Sequence, residues 1–416
     1  MKSPHIIVLT NLFPHAGAPV SGTFIRQRMF RVAGQLPLVV VMPVPWFPLQ
    51  SLVRRFLPNF RPPAPREEVQ EGIRVLFPRF LSVPGLFRWL DSLSIALACL
   101  SLVRRLQRHS PVSIIDTHFA YPCGHAGVLL GRWLKMPVTI TMRGTEVSLA
   151  ADPSRRRRIL AALNGASRVF SVSESLRQHA GALGADMGKI RVVGNGVDLA
   201  CFFPEDRLQA RARLGLAPDT PVLISVGGLV DRKGFHRVVE RLPAMRKRFP
   251  SIQYLIVGGP SAEGDNGPRL RQLVQDLDLG DVVRFLGPLP AQELRWPLSA
   301  ADAFVLATAN EGWANVFLEA MACGLPVVAT DVGGNAEVVN SPALGTIVPF
   351  GDGAALERAM TEALTRHWDH QAIRDYAASN TWDRRVAVLV DEFRSLAVSA
   401  ADGTATEAGA TAGQDG

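Results

Sequence analysis

Short runs rich in Val and Ile recur along the chain, at 5–10, 38–42, 112–117, 138–142, 168–172 and 190–193, and again at 222–226, 252–257, 282–286, 303–306, 326–329 and 345–348. Helical spacings of apolar residues fill the intervals, as at 22–34, 122–134, 174–183, 234–248, 268–277, 316–323 and 353–365. Runs this short and this apolar suit strands buried on both faces, and the intervening helices supply the crossovers that parallel strands require. The pattern predicts α/β sheets wrapped by helices, and because it occurs twice it predicts two doubly wound, Rossmann-like domains. A chain of 416 residues is also too long for one ordinary core. The seam falls in the Gly-, Pro- and Asp-containing stretch 195–221, which sets domains at 1–200 and 201–380. Ligands of such sheets bind beyond the carboxyl ends of the strands, so two facing sheets would hold one in the cleft between them. The small, polar stretch 397–416 reads as a disordered tail.

Charge divides the chain more sharply than its total of +8 suggests. Residues 1–200 carry 25 Lys and Arg against 10 Asp and Glu, a net of +15, and the other 216 carry 20 against 27, a net of −7. A half this basic implies an anionic partner: a membrane surface, a nucleic acid or an acidic substrate. Nucleic acid fits poorly, because the basic residues come without a helix-turn-helix, zinc-finger or RNP-like pattern and have mostly aliphatic neighbours. Segments 44–66 and 81–108 mix Trp, Phe and Leu with Arg, as segments lying in a bilayer interface do; a buried helix with a covering loop explains them equally well. Neither spans, since Arg88 and Asp91 leave residues 92–103 uncharged, short of the ~20 needed. The arginine run 155–158 reads as a solvated helix face. Cys99, Cys123, Cys201 and Cys323 form neither a C-x-x-C pair nor a His/Cys cluster, which argues against a disulfide framework or zinc site and for a reducing cytoplasm. The first apolar run ends after a few residues and reads as a strand rather than a signal peptide.

Three runs of the second half end alike, in ISVGG (224–228), LIVGG (255–259) and TDVGG (330–334). Glycine pairs there allow tight turns and present bare N–H groups to a phosphate or sugar, although glycine also ends strands where no ligand binds. No intact G-x-G-x-x-G fingerprint or Walker loop is present. After SVGGLV come Asp231, Arg232, Lys233 and Gly234, so two cations stand where a loop opens a helix whose dipole also favours an anion. A diphosphate suits that arrangement. Further on, EGWANVFLEAMACGLPVVATDVGGNAEVV (311–339) sets Glu311 on a loop and Glu319 inside the helix that follows. An ionised carboxylate accepts two hydroxyl hydrogen bonds side by side, which suits a ribose diol.

SVGGLVDRKGFHRV, VRFLGPLPAQELRW, VVGNGVD and the 311–339 stretch together resemble the retaining nucleotide-sugar glycosyltransferases of family 4, whose fold is GT-B, two Rossmann-like domains facing across a cleft. IIDTHFAYPCG and VTITMRGTEV are similar to bacterial members that build exopolysaccharide or lipid-linked glycans. The resemblance runs from residue 5 to about residue 395, with no matching motif in 44–110. It implies that Glu319 grips the ribose, that Glu311 holds hydroxyls of the transferred sugar, and that backbone N–H groups near Ala314, Asn315 and Val316 face the donor. Arg232 and Lys233 would clamp the diphosphate and neutralise the leaving oxygen. Gly228 occupies a donor-side position where the family usually carries Arg, so Arg232 is the guanidinium left to replace it. His118 matches the family's N-domain active-site histidine, and Arg143 replaces a common His in its turn, where it would contact acceptor or phosphate. Gly22 resembles the glycine loop that closes over diphosphate and acceptor, though a plain helix start reads the same. The helix ending the family's fold, here 381–396, would cross back to the first domain.

Asp276-x-Asp278 has the spacing of a diphosphate-bound metal pair but falls at a helix end away from the clamp, and reads as a solvated terminus. The expectation is therefore a hexosyltransferase needing no metal or other cofactor. It takes a nucleoside-diphosphate sugar and a glycan or polyprenyl-linked acceptor in bacterial polysaccharide synthesis, on the inner face of the plasma membrane, with no nucleic-acid partner. Two alternatives stay open: a nucleotide-sugar 2-epimerase-like isomerase, and a non-catalytic glycan or nucleotide-sugar binding protein.

Overall fold

A computed structural model of the chain describes residues 4–19, 21–56, 60–61, 64–83, 85, 88–109, 114–261 and 263–411. The chain forms two compact units, Met1–Gly194 with Arg385–Gly416, and Asn195–Arg384. The division falls at Gly194/Asn195, the start of the expected seam and six residues before the expected end of the first domain.

The first unit carries strands β1 (Ile6–Leu9), β2 (Leu38–Val41), β3 (Val44–Trp46), β4 (Glu67–Gln70), β5 (Ile73–Leu76), β6 (Arg79–Leu81), β7 (Ile114–His118), β8 (Val138–Met142), β9 (Arg168–Ser171) and β10 (Ile190–Val192). Its main sheet has the order β10-β9-β8-β7-β1-β2-β5-β4, parallel except for β4, which pairs antiparallel with β5. Strands β1, β7 and β8 are buried along their whole length, as expected of parallel strands covered on both faces. Strands β3 to β6 were not foreseen: they are three or four residues long, and β4 reads EEVQ with alternating exposure, so no apolar run marks them. The helix Asp91–His109 buries Ile95, Ala96, Cys99 and Val103 on one face and exposes Leu93 and Leu97 on the other. In the arginine run, Arg156 and Arg157 are exposed on the helix Pro153–Gly165.

The last helix, Trp382–Thr411, enters the first unit at Arg385 and sets Val386, Leu389, Val390 and Phe393 into its core, Phe393 meeting Phe170 edge-on at 6.1 Å. Glu392 beside them pairs with Arg168 at 2.9 Å and Arg191 at 2.5 Å. The helix continues through residue 411, where disorder was expected from 397; alanine, the best helix former, recurs through this stretch and offsets its polarity. Residues 412–416 lie outside the described residues.

The second unit carries β11 (Val222–Val226), β12 (Gln253–Val257), β13 (Val283–Gly287), β14 (Ala303–Leu306), β15 (Val327–Thr330) and β16 (Gly345–Val348). All pairings are parallel, in the order β13-β12-β11-β14-β15-β16, the doubly wound order whose switch point lies between β11 and β14. The helix expected at 234–248 is two, Phe235–Val239 and Leu242–Arg248. Pro243 stands in the first turn of the second, where its missing N–H is harmless; inside one continuous helix it would remove a bond and clash with the turn before.

Candidate active site

At the switch point of the second unit the segment after β11 meets the segment after β14. Gly234 makes this possible: its φ is 74°, and a Cβ there would lie 1.9 Å from the Ala307 carbonyl oxygen. Ala309 N–H and the Thr308 hydroxyl both donate to the Arg232 carbonyl, at 2.8 and 3.1 Å. The two cations are thereby held over Glu311, which is nearly buried. Lys233 Nζ donates to Glu311 Oε1 at 2.6 Å and Arg232 Nη1 at 3.2 Å, and Thr308 Oγ1 lies 3.3 Å from the same oxygen. These bonds converge on Oε1 and leave Oε2 for a further donor. Glu311 is pinned from behind by Gly333, whose φ is 53° and whose Cβ would fall 1.7 Å from the Glu311 carbonyl oxygen.

The helix Asn315–Ala322 starts four residues after Glu311, with Ala314 at its N-cap and no side-chain cap. Its first N–H groups, at Asn315 and Val316, lie beyond reach of intrahelical acceptors and are available to an anion or hydroxyl. Asn315 Oδ1 accepts from Asn195 Nδ2 at 2.8 Å, which orients that turn. Phe317, Leu318, Ala320 and Met321 are core, so the helix is anchored along one side, and Glu319 between them is half-buried. The surrounding protein desolvates that carboxyl and pushes it up to about 7, with Lys233 drawing it back down. Arg232, Lys233, Glu311 and Glu319 thus form one cluster in the second unit.

The glycine pairs do less than expected for ligand access. Gly227 N–H donates to Val257, Gly258 N–H to Gly287 and Gly334 N–H to Glu311, so those groups join neighbouring loops. Gly258 is needed for contact, since its Cβ would stand 1.8 Å from the Gly227 carbonyl oxygen. Gly228 lies against Ser261, whose Cβ would be 3.1 Å from an added Cβ.

The first unit gathers the remaining predicted residues. His118 ends β7 with no exposed surface; Arg143 donates to its Nδ1 from Nε at 3.2 Å and Nη2 at 3.0 Å. Asp116 Oδ2 lies 3.4 Å from Nε2, so the proton of the neutral ring belongs on Nε2. Burial first, then Arg143 and Arg28, hold His118 well below the ordinary histidine range. Asp116, buried and accepting from Thr139 Oγ1 at 2.6 Å, is pushed up to about 6. Arg143 thus covers His118, and its guanidinium also lies 4.9 Å from the centre of the Phe24 ring. Phe24 follows Gly22, which caps the helix Thr23–Ala33 with φ 69° and would put a Cβ 2.6 Å from the Leu12 carbonyl oxygen. Gly22 is therefore a helix start that is also tightly packed.

Several residues of these clusters were not singled out in the sequence. Glu146 accepts from the N–H groups of Ala120, Arg143 and Gly144 at 2.9, 3.2 and 2.8 Å and sets the turn that aims Arg143. Thr308 braces Glu311, and Glu263 forks onto Arg232. Glu146 could have been suspected from its place in the first turn of a helix opened by Gly144; Glu263, on a polar loop, could not. Among the described residues no group of three or more His, Cys, Asp or Glu side chains is arranged to hold a metal. Asp276 accepts from Gln272 at the end of its helix, and Asp278 follows with φ 52°.

Comparison with known proteins supplies the family. The model described as Glycosyl transferases group 1 matches residues 206–380, and Glycosyltransferase Family 4 matches residues 51–200, including most of the segment that matched no motif. A D-inositol 3-phosphate glycosyltransferase of Geodermatophilus obscurus is 33% identical over 319 residues, 71% of this chain and 70% of that one. TuaC of Bacillus subtilis, a glycosyltransferase named for teichuronic acid biosynthesis, is 28% identical over 387 residues, 91% of this chain and 92% of TuaC. HepE from Anabaena, solved with UDP and glucose, superposes with a TM-score of 0.72 over 95% of this chain and all of HepE; at 18% identity that likeness is one of fold. With both halves matched by family models and a relative 33% identical over 70% of its length, the chain belongs to glycosyltransferase family 4 and has the GT-B fold.

Proposed function

We propose that the protein is a retaining hexosyltransferase that moves a sugar from a nucleoside-diphosphate sugar to a glycan or lipid-linked acceptor in bacterial polysaccharide synthesis, with no metal. The observation that carries this reading is the convergence of Lys233 and Arg232 on Glu311, one turn of chain before the helix that bears Glu319. The carboxylate of Glu319 accepts the ribose hydroxyls, the free Glu311 Oε2 accepts hydroxyls of the sugar, and the N–H groups of Asn315 and Val316 face the diphosphate. Lys233 and Arg232 neutralise the diphosphate as it leaves. In the step itself a bond forms between the acceptor oxygen and the anomeric carbon while the bond from that carbon to the diphosphate oxygen breaks. That oxygen, departing from the same face, takes the acceptor proton. Lys233→Ala is expected to lower kcat by roughly 10² to 10³.

HepE's UDP and glucose and the name of TuaC support a nucleotide-sugar donor and a polysaccharide product. The first unit is assigned to acceptor and to peripheral contact with the anionic inner face of the plasma membrane, on the strength of the +15 charge of residues 1–200 and of the exposed Trp46, Leu49, Leu52, Phe56, Leu81 and Trp89. Among the described residues no helix is long and apolar enough to cross a membrane. A thermal-shift panel of nucleotide sugars, followed by turnover of the best one with lipid-linked acceptors in EDTA, tests the reading. Product with the anomeric configuration of the donor is expected; inversion, product only with added metal, or binding of no nucleotide sugar overturns it.

A further inference from the structure

Arg232 is more occupied than a waiting anion clamp need be. Its Nε and Nη2 fork onto Glu263 at 2.9 and 2.7 Å, and its Nη1 reaches the Asn310 carbonyl at 2.7 Å and Glu311 at 3.2 Å. The two carboxylates differ in place: the Glu311 side chain is 10% exposed and Glu263 55%, so Glu263 takes the solvent-side edge of the guanidinium. A paired fork of this kind is the geometry in which arginine also meets a phosphate. The charge balance points the same way, because Arg232 and Lys233 face three carboxylates, Glu263, Glu311 and Glu319, and have no surplus for an incoming anion while Glu263 stays seated. Glu311 and Glu319 have sugar hydroxyls to hold; Glu263, on the loop after β12, has Arg232.

We propose that Glu263 is a built-in competitor for the diphosphate: it holds Arg232 until a ligand carrying a diphosphate displaces it, and so sets the preference of this site for diphosphates over ligands that lack one. The inference rests on the nucleotide-sugar reading. Calorimetry with UDP, GDP, the base-free probe pyrophosphate, and the nucleosides uridine and guanosine tests it on the wild type and Glu263→Gln. The variant is expected to bind whichever diphosphate the wild type binds about 2- to 5-fold more tightly, the range of an exposed ion pair, with nucleoside binding unchanged. In an Arg232→Ala background the same change is expected to have no effect, which a merely structural role for Glu263 would not produce. Equal or weaker diphosphate binding by Glu263→Gln, an equal gain for the nucleoside, or a gain that persists without Arg232 overturns the proposal. Should neither protein bind any diphosphate, the donor reading falls and the competitor with it; binding by the wild type with no gain in the variant removes the competitor alone.

Discussion

Glu319 is the side chain whose chemistry is most open to measurement. Burial raises its carboxyl to about 7 against Lys233, whereas accepting ribose hydroxyls requires the ionised form. Nucleotide-sugar affinity should therefore be full above pH 7 and fall by about tenfold for each pH unit below it. Glu319→Gln should bind weakly at every pH, as calorimetry of both proteins from pH 5.5 to 8.5 will show. The effect on the unliganded fold has the opposite sign: a raised carboxyl pKa favours the folded chain at acid pH, and that contribution fades as pH climbs from 4.5 to about 7. His118 behaves otherwise. Held neutral by burial and Arg143, it should contribute no step to the pH profile between 6 and 8, and a rate profile with a histidine-like step that vanishes in His118→Asn would contradict its placement. Both residues could be picked out in the sequence, from E-x7-E spacing and from DTHFAYP, but not their ionisation, which depends on neighbours brought from distant positions.

At the scale of elements, the site depends on loops packed backbone to backbone. Gly333 after β15 carries a left-handed φ and touches the Glu311 carbonyl, so Gly333→Ala should cost about 1–3 kcal/mol from backbone strain alone and should also displace Glu311. Denaturant unfolding will measure the first effect and donor titration the second, and unchanged donor affinity would show that the VGG turn does not position this acid. The last helix offers a contrasting case. Phe393→Ala removes a ring buried against Phe170 and should destabilise by about 3–5 kcal/mol in the same assay. The Val- and Ile-rich runs that became β1, β7 and β11 were legible because strands buried on both faces leave no regular polar alternation. The short strands β3 to β6 were not, since each is only three or four residues long and is broken by a charged residue or a proline.

For the whole molecule, charge and exposed apolar side chains predict where it resides. The basic first half, with Leu52 and Phe56 exposed beside Arg54 and Arg55, should bring the protein to vesicles containing anionic lipid and not to zwitterionic ones. Cosedimentation should weaken as salt rises from 50 to 500 mM and fall in Leu52→Glu and Phe56→Glu, while the thermal shift by donor stays unchanged. Binding that ignores both lipid charge and these variants would assign the segment to the fold alone. What the amino-acid order by itself determined is the doubled Rossmann architecture, the family, and the acids and cations that cluster at the second unit's switch point, because strand and helix periodicity and short motif spacing are local properties of the chain. Tertiary structure alone decided that Glu263 occupies Arg232, that Arg143 covers a buried His118, and that Phe393 of the last helix meets Phe170. Those facts arise from contacts between residues tens to hundreds of positions apart, whose partners only the packed sheets and loops select.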